Sequence, residues 1–68
     1  MEIGKSLKQN RENRSLSQLQ LAKATGLKQQ NISRWENDTH IPDVLSCSII
    51  AKYYDISIEE LIDIDNAR

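Results

Sequence analysis

The sequence contains no phenylalanine, and in 68 residues it has one cysteine, one histidine, one proline, one tryptophan and two glycines. Each shortage removes a class of protein. A single cysteine, Cys47, cannot form an internal disulfide, and Cys47 with the lone His40 is too small a set to hold a metal, so no metal and no cofactor are expected. No Ser-His-Asp, Cys-His or phosphate-loop arrangement is present, and the acids Glu59, Glu60 and Asp63 fall on a short exposed segment without a pocket-forming partner, so enzymatic chemistry is not expected. Long apolar runs are missing as well. Glu2, Lys5, Lys8 and Arg11 interrupt the N-terminus every few residues, which argues against a signal peptide or a membrane span and for a cytoplasmic chain. Cys47 lies on an apolar helical stripe and is expected to be a small core residue.

At 68 residues the chain, read as one domain over 1–68, lies near the lower limit at which a single core offsets the chain entropy lost on folding. Association with a partner would help. The net charge is −1, but it is unevenly distributed. Residues 1–35 hold seven Lys or Arg against two acids, a net of +5, whereas residues 36–68 hold two against eight, a net of −6. Attraction to phosphate depends on the local field, so a basic first half and an acidic second half suit a nucleic-acid face and a back face.

Helical periodicity runs through the chain, and no strand pattern competes with it. Ile3, Leu7, Asn10 and Arg11 share one face of a first helix over about 3–13, with Lys5, Lys8 and Glu12 opposite. Ser17 followed by Gln20 has the spacing of a capping box, and Leu16 with Leu21 that of a hydrophobic staple, so a second helix opens at Ser17. Gly26 ends it in a positive-φ conformation that a Cβ would disfavour. A third helix covers about 29–37. Ile32 and Trp35 point inward with Leu27, while Gln30, Ser33 and Arg34 point nearly the opposite way. Pro42 and Asp43 open a fourth helix with Val44, Cys47, Ile50, Ala51 and Tyr54 as its core stripe, and Ser57 with Glu60 is a second capping box for a fifth helix carrying Ile58, Leu61 and Ile62. The tail from 63 to 68 is expected to fray.

Two short helices joined across a single glycine, over about 17–37, read as a helix-turn-helix. Its second helix displays Gln29, Gln30, Ser33 and Arg34, side chains able to bond base edges in a DNA major groove. The pattern Leu16-Ser17-Gln18, Leu21-Ala22, Gly26-Leu27, Gln30, Ile32-Ser33, Trp35-Glu36-Asn37, Pro42, Ile50-Ala51 and Ile56-Ser57 resembles the phage repressor and Cro-like family of helix-turn-helix regulators, also called the xenobiotic-response-element family, over residues 3–62. The resemblance implies an all-α, five-helix domain with helix 3 in the major groove, Gln29, Gln30, Ser33 and Arg34 reading bases, and Gln18 and Asn37 on phosphates. Arg11 matches an arginine that pairs in some members with the glutamate here at Glu36, and its inward placement independently calls for a carboxylate partner. Three departures from the family pattern involve four positions. Lys28 stands where a Ser or Thr cap is usual and is expected to reach a phosphate instead; Asp38 replaces a common glycine; Thr39 and His40 replace basic residues.

The resulting expectation is a sequence-specific regulator of double-stranded DNA, a repressor on a palindromic operator acting as a homodimer, bacterial or phage-encoded and nucleoid-associated. The competing reading is a protein-interaction module of the same fold, an antitoxin or adaptor with a toxin-like partner, in which the acidic helices 4 and 5 form the functional face. No effector domain is visible, so control by a small ligand is not expected. Leu45 and Ile49 fall outside the stripe assigned to the core of helix 4, and with Tyr53, Ile62 and Ile64 they form a candidate subunit interface.

Overall fold

The computed structural model describes residues 3–62 as five α-helices joined by short turns, with no strand among the described residues. Helix α1 spans Ile3–Asn13, α2 Gln18–Thr25, α3 Gln29–Glu36, α4 Val44–Tyr54 and α5 Ile58–Ile62. The all-α architecture is the one the periodicity predicts. No helix among the described residues is long and apolar enough to cross a membrane.

Local chemistry accounts for most of the helix ends. Ser17 Oγ accepts the Gln20 amide at 3.0 Å while Gln20 Oε1 accepts the Ser17 amide at 2.8 Å, a reciprocal capping box. The same exchange between Ser57 and Glu60 opens α5. Gly26 closes α2 at φ 78°, its N–H donating to the Ala22 carbonyl. Three other left-handed positions among the described residues are not glycine: Ser15 (φ 57°) lies in the turn before α2, Asp38 (φ 60°) follows α3 and Asp55 (φ 59°) ends α4, all short polar residues.

Leu7, Leu21, Ala22, Ile32, Trp35, Cys47, Ile50, Ala51, Tyr54 and Leu61 form one buried cluster, with Ile3, Leu16, Leu27, Ile56 and Ile62 packed around it. Helix α1 lies against α3 and α5, α2 against α3 and α4, and α4 against α5, so α3 is held from behind by two helices. Cys47 is buried as expected, and burial raises its thiol pKa.

One assignment on the fourth helix is corrected. Val44 is 78% exposed and does not belong to the core stripe; Ser46 is turned inward instead. On a helical wheel the two positions flank the buried face almost symmetrically, and the nearby Ser46 holds the Asp43 carboxylate below its ordinary pKa. Ile62 packs partly buried against the core. Ile64 lies outside the described residues.

Candidate nucleic-acid interface

Helix α3 is clamped on its inner side and unbonded on its outer side. Ile32 and Trp35 insert into the core, and Glu36 is buried with them. Glu36 meets Arg11 of α1 in a two-pronged pair: Arg11 Nε donates to Glu36 Oε2 at 2.8 Å and Nη2 to Oε1 at 3.0 Å. The guanidinium's remaining reach is taken by the Leu16 carbonyl, which accepts from Nη1 at 2.6 Å. The hydrogen bond to Glu36 raises the Arg11 pKa further, so the arginine stays charged although it is buried.

A second clamp joins the N-terminal end of α1 to the segment just past the C-terminal end of α3. The Gly4 amide, in the first turn of α1 where no intrahelical acceptor exists, donates to Asp38 Oδ1 at 3.2 Å. Gly4 is required there because a Cβ would overlap the Trp35 carbonyl and the Asp38 carboxylate. Asp38 is thereby turned toward the positive end of the α1 dipole. Thr39 finishes α3: its amide and its hydroxyl both donate to the Arg34 carbonyl at 3.0 Å. The departures Asp38 and Thr39 thus have structural tasks that the sequence does not announce.

The outer face contrasts with this. Gln29, Gln30 and Arg34 are exposed, and none of their side chains has a hydrogen-bond or ionic partner among the described residues. Ser33 is half-buried beside them, its hydroxyl accepting from Asn37 Nδ2 at 3.4 Å. Lys28 stands at the N-cap of α3 without a capping bond and projects into solvent. Gln18, at the first position of α2, is turned inward, its Nε2 donating to Glu36 Oε1 at 3.0 Å. What Gln18 can offer a phosphate is therefore its second amide hydrogen and its backbone N–H, which like that of Leu19 has no intrahelical acceptor.

The basic half is less free than its count suggests. Arg11 is neutralised by Glu36, and Arg14 is occupied: its Nη1 donates to the Asn10 carbonyl at 2.9 Å and its guanidinium sits 4.1 Å from the Tyr54 ring centroid. Lys28 and Arg34 remain displayed beside the glutamines, on or next to one helix.

A helix-turn-helix family model matches residues 7–61, which takes in everything from the middle of α1 to α5. The chain belongs to the Cro/C1-type helix-turn-helix family. It is 34% identical over 62 residues to the HTH-type transcriptional activator BcrR of Enterococcus faecalis, an alignment that covers 91% of this chain and 30% of that relative. The chain thus spans under a third of the relative's length. No solved structure matches. The match takes in α2 and α3 with the Gly26 turn between them, and the described residues contain no cluster of His, Cys, Asp or Glu that could hold a metal ion.

Proposed function

We propose that the protein is a transcriptional regulator that binds double-stranded DNA sequence-specifically, with Gln29, Gln30, Ser33 and Arg34 reading base edges and Gln18, Lys28 and Asn37 contacting phosphates. One observation carries the reading: an outward row of unbonded amide and guanidinium groups on a helix whose inner side is locked twice to α1. A solvated helix face needs polar residues, but it does not need its helix held in register from behind. Glutamine pairs in bidentate fashion with adenine and arginine with guanine, each good pair contributing about 1–3 kcal/mol of discrimination. We further propose a homodimer on a palindromic operator, since an eight-residue recognition helix reaches only a few base pairs. Repression by steric occupancy of a promoter needs nothing beyond such binding. The similar BcrR is named an activator, so a promoter fusion with the operator placed on either side of the polymerase site decides the sign.

The test is selection of binding sites from a random duplex library at two salt concentrations. Wild type is expected to recover a defined sequence, with an association constant that falls steeply as salt rises. Gln30→Ala and Arg34→Ala should each relax a different base position, whereas Lys28→Ala should weaken all sequences alike. Folded variants that recover the wild-type consensus, or binding that is flat in salt, would overturn the proposal.

A further inference from the structure

Only polar side chains line the outer face of α3. On a helical wheel Gln30 points almost directly away from the mean direction of Ile32, Trp35 and Glu36, with Arg34 one turn beyond it and Gln29 and Ser33 on the adjoining row. This face carries no carboxylate to accept from a cytosine amino group, because Glu36, the one acid of α3, is buried against Arg11. It carries no apolar side chain either. The large hydrophobics exposed among the described residues, Leu19, Ile41, Val44, Leu45, Tyr53 and Ile58, all lie on other helices or in the loop after α3. A methyl group in the groove finds nothing on this face to pack against.

We propose that binding depends on the methylation state of the DNA, and that N6-methylation of the adenine faced by Gln30 weakens it enough to empty the site. The proposal rests on the DNA-binding reading above and deepens it. A paired adenine has two N6 hydrogens; one is held by thymine O4, and the other points into the major groove beside the N7 acceptor. A glutamine amide matches that edge when Oε1 accepts from N6–H and Nε2 donates to N7. Methylation leaves N6 a single hydrogen, and the adenine keeps its pairing only by giving that hydrogen to thymine. The methyl then stands beside N7, where the glutamine oxygen would be. One bond of the pair loses its donor, and the methyl blocks the approach needed for the other.

The support behind α3 makes this loss hard to relieve. The Arg11–Glu36 pair and the Gly4–Asp38 bond hold the C-terminal end of the helix to α1, and Ile32 and Trp35 fix it to the core, so α3 cannot draw back to admit the methyl without disturbing them. Gln30 is exposed and unbonded and can swing aside, but both of its base contacts then go. The guanine edge offered to Arg34 is unaltered, so one contact is removed and not the whole interface. Loss of one good bidentate pair weakens binding by about 10- to 100-fold, and a site half-occupied without the methyl then falls to about one-tenth occupancy or less.

The experiment uses the best duplex recovered from the library selection, synthesised with N6-methyladenine at the position whose preference relaxes in Gln30→Ala. Wild type is expected to bind it about 10-fold or more weakly than the unmodified duplex, and to be indifferent to the same methyl on an adenine outside the site. Replacing the read adenine by 7-deazaadenine, which keeps both N6 hydrogens but lacks the N7 acceptor, should also weaken wild type. Gln30→Ala changes only an exposed, unbonded side chain; it should bind methylated and unmethylated duplexes alike, within about twofold. Equal binding of both duplexes by wild type overturns the proposal, as does a methyl effect that persists in full in Gln30→Ala. Failure of wild type to bind any duplex, or a base other than adenine at the Gln30-dependent position, overturns instead the reading on which the proposal rests.

Discussion

Removing one partner of the Arg11–Glu36 pair is expected to have the largest effect of any polar substitution in this chain. Both groups are buried, and the pair carries four hydrogen bonds if those to the Leu16 carbonyl and from Gln18 Nε2 are included. Breaking such a pair from one side leaves an uncompensated buried charge and destabilises by about 3–5 kcal/mol, against about 0–1 kcal/mol for an exposed pair. At about 0.05–0.15 kcal/mol per residue, a domain of 68 residues has about 3–10 kcal/mol of stability in total. Glu36→Leu should therefore leave the chain largely unfolded or close to it. Arg11→Lys should fail to rescue, because one ammonium cannot serve two carboxylate oxygens and a carbonyl in the planar geometry seen here. The double variant Arg11→Met, Glu36→Leu removes both charges together and should recover most of the loss, so the cycle should return a coupling of about 2 kcal/mol or more. Urea titration followed by the fluorescence of Trp35, the single tryptophan and a buried neighbour of Glu36, measures all four corners. Single variants that lose under 1 kcal/mol, or a double variant no better than the singles, would refute the claim that this pair holds α1 to α3.

Two further outcomes follow from buried detail. The Tyr54 hydroxyl is buried without a hydrogen-bond partner and burial pushes its pKa up to about 12, so Tyr54→Phe should be neutral or stabilising by up to about 1 kcal/mol. Because the folded state keeps this proton when the unfolded state, with a pKa near 10, has lost it, wild-type stability should decline as pH rises from about 10 to 12, and Tyr54→Phe should lack that part of the decline in urea midpoints measured across the range. Gly4→Ala should lower the urea midpoint by the equivalent of about 1–3 kcal/mol despite alanine's better helix propensity, because the new methyl meets the Trp35 carbonyl, a backbone atom that cannot move aside; a raised midpoint would show the approach of α1 to α3 to be looser than described.

How far the sequence revealed this arrangement depended on the range of each interaction. Ser17 with Gln20, Ser57 with Glu60, and Gly26 act within four residues, so their letters and spacing announce them. Arg11 announced itself differently, as a charge on an inward stripe that needs a partner. The Gly4–Asp38 clamp had no such signal, since it joins residues 34 apart and one partner is a backbone amide, which every letter except proline carries. The same holds for Asn10, whose Nδ2 donates to the Leu61 carbonyl at 3.1 Å and so secures the end of α5 from α1. Arg14 counts toward the basic first half of the sequence, and in the fold it is laid over Tyr54, a partner 40 residues away that no local spacing announces. On α4 the inward face is legible as Cys47, Ile50, Ala51 and Tyr54, but Val44 and Ser46 flank it almost symmetrically and the apolar letter points to the wrong flank.

The two clamps explain why the outer face of α3 can be read separately from the fold. An eight-residue helix has little stability of its own in water, and α3 begins at Lys28 without a side-chain cap. Its order comes from Ile32, Trp35 and Glu36 on the inner side, and from Asp38 and Thr39 at its end. The side chains of Gln29, Gln30 and Arg34 contribute no bond to that order. Substitution at these three positions is therefore expected to change stability by no more than about 0.5 kcal/mol, the range of ordinary surface changes, while substitution at the five supporting positions acts on the whole domain. A helix divided in this way can have its outer residues exchanged for others without refolding its scaffold, which is the physical requirement for a recognition surface whose sequence target can change. Loss of more than 1 kcal/mol in Gln29→Ala, Gln30→Ala or Arg34→Ala would mean that the outer residues also hold the helix, and the separation of support from readout would fail.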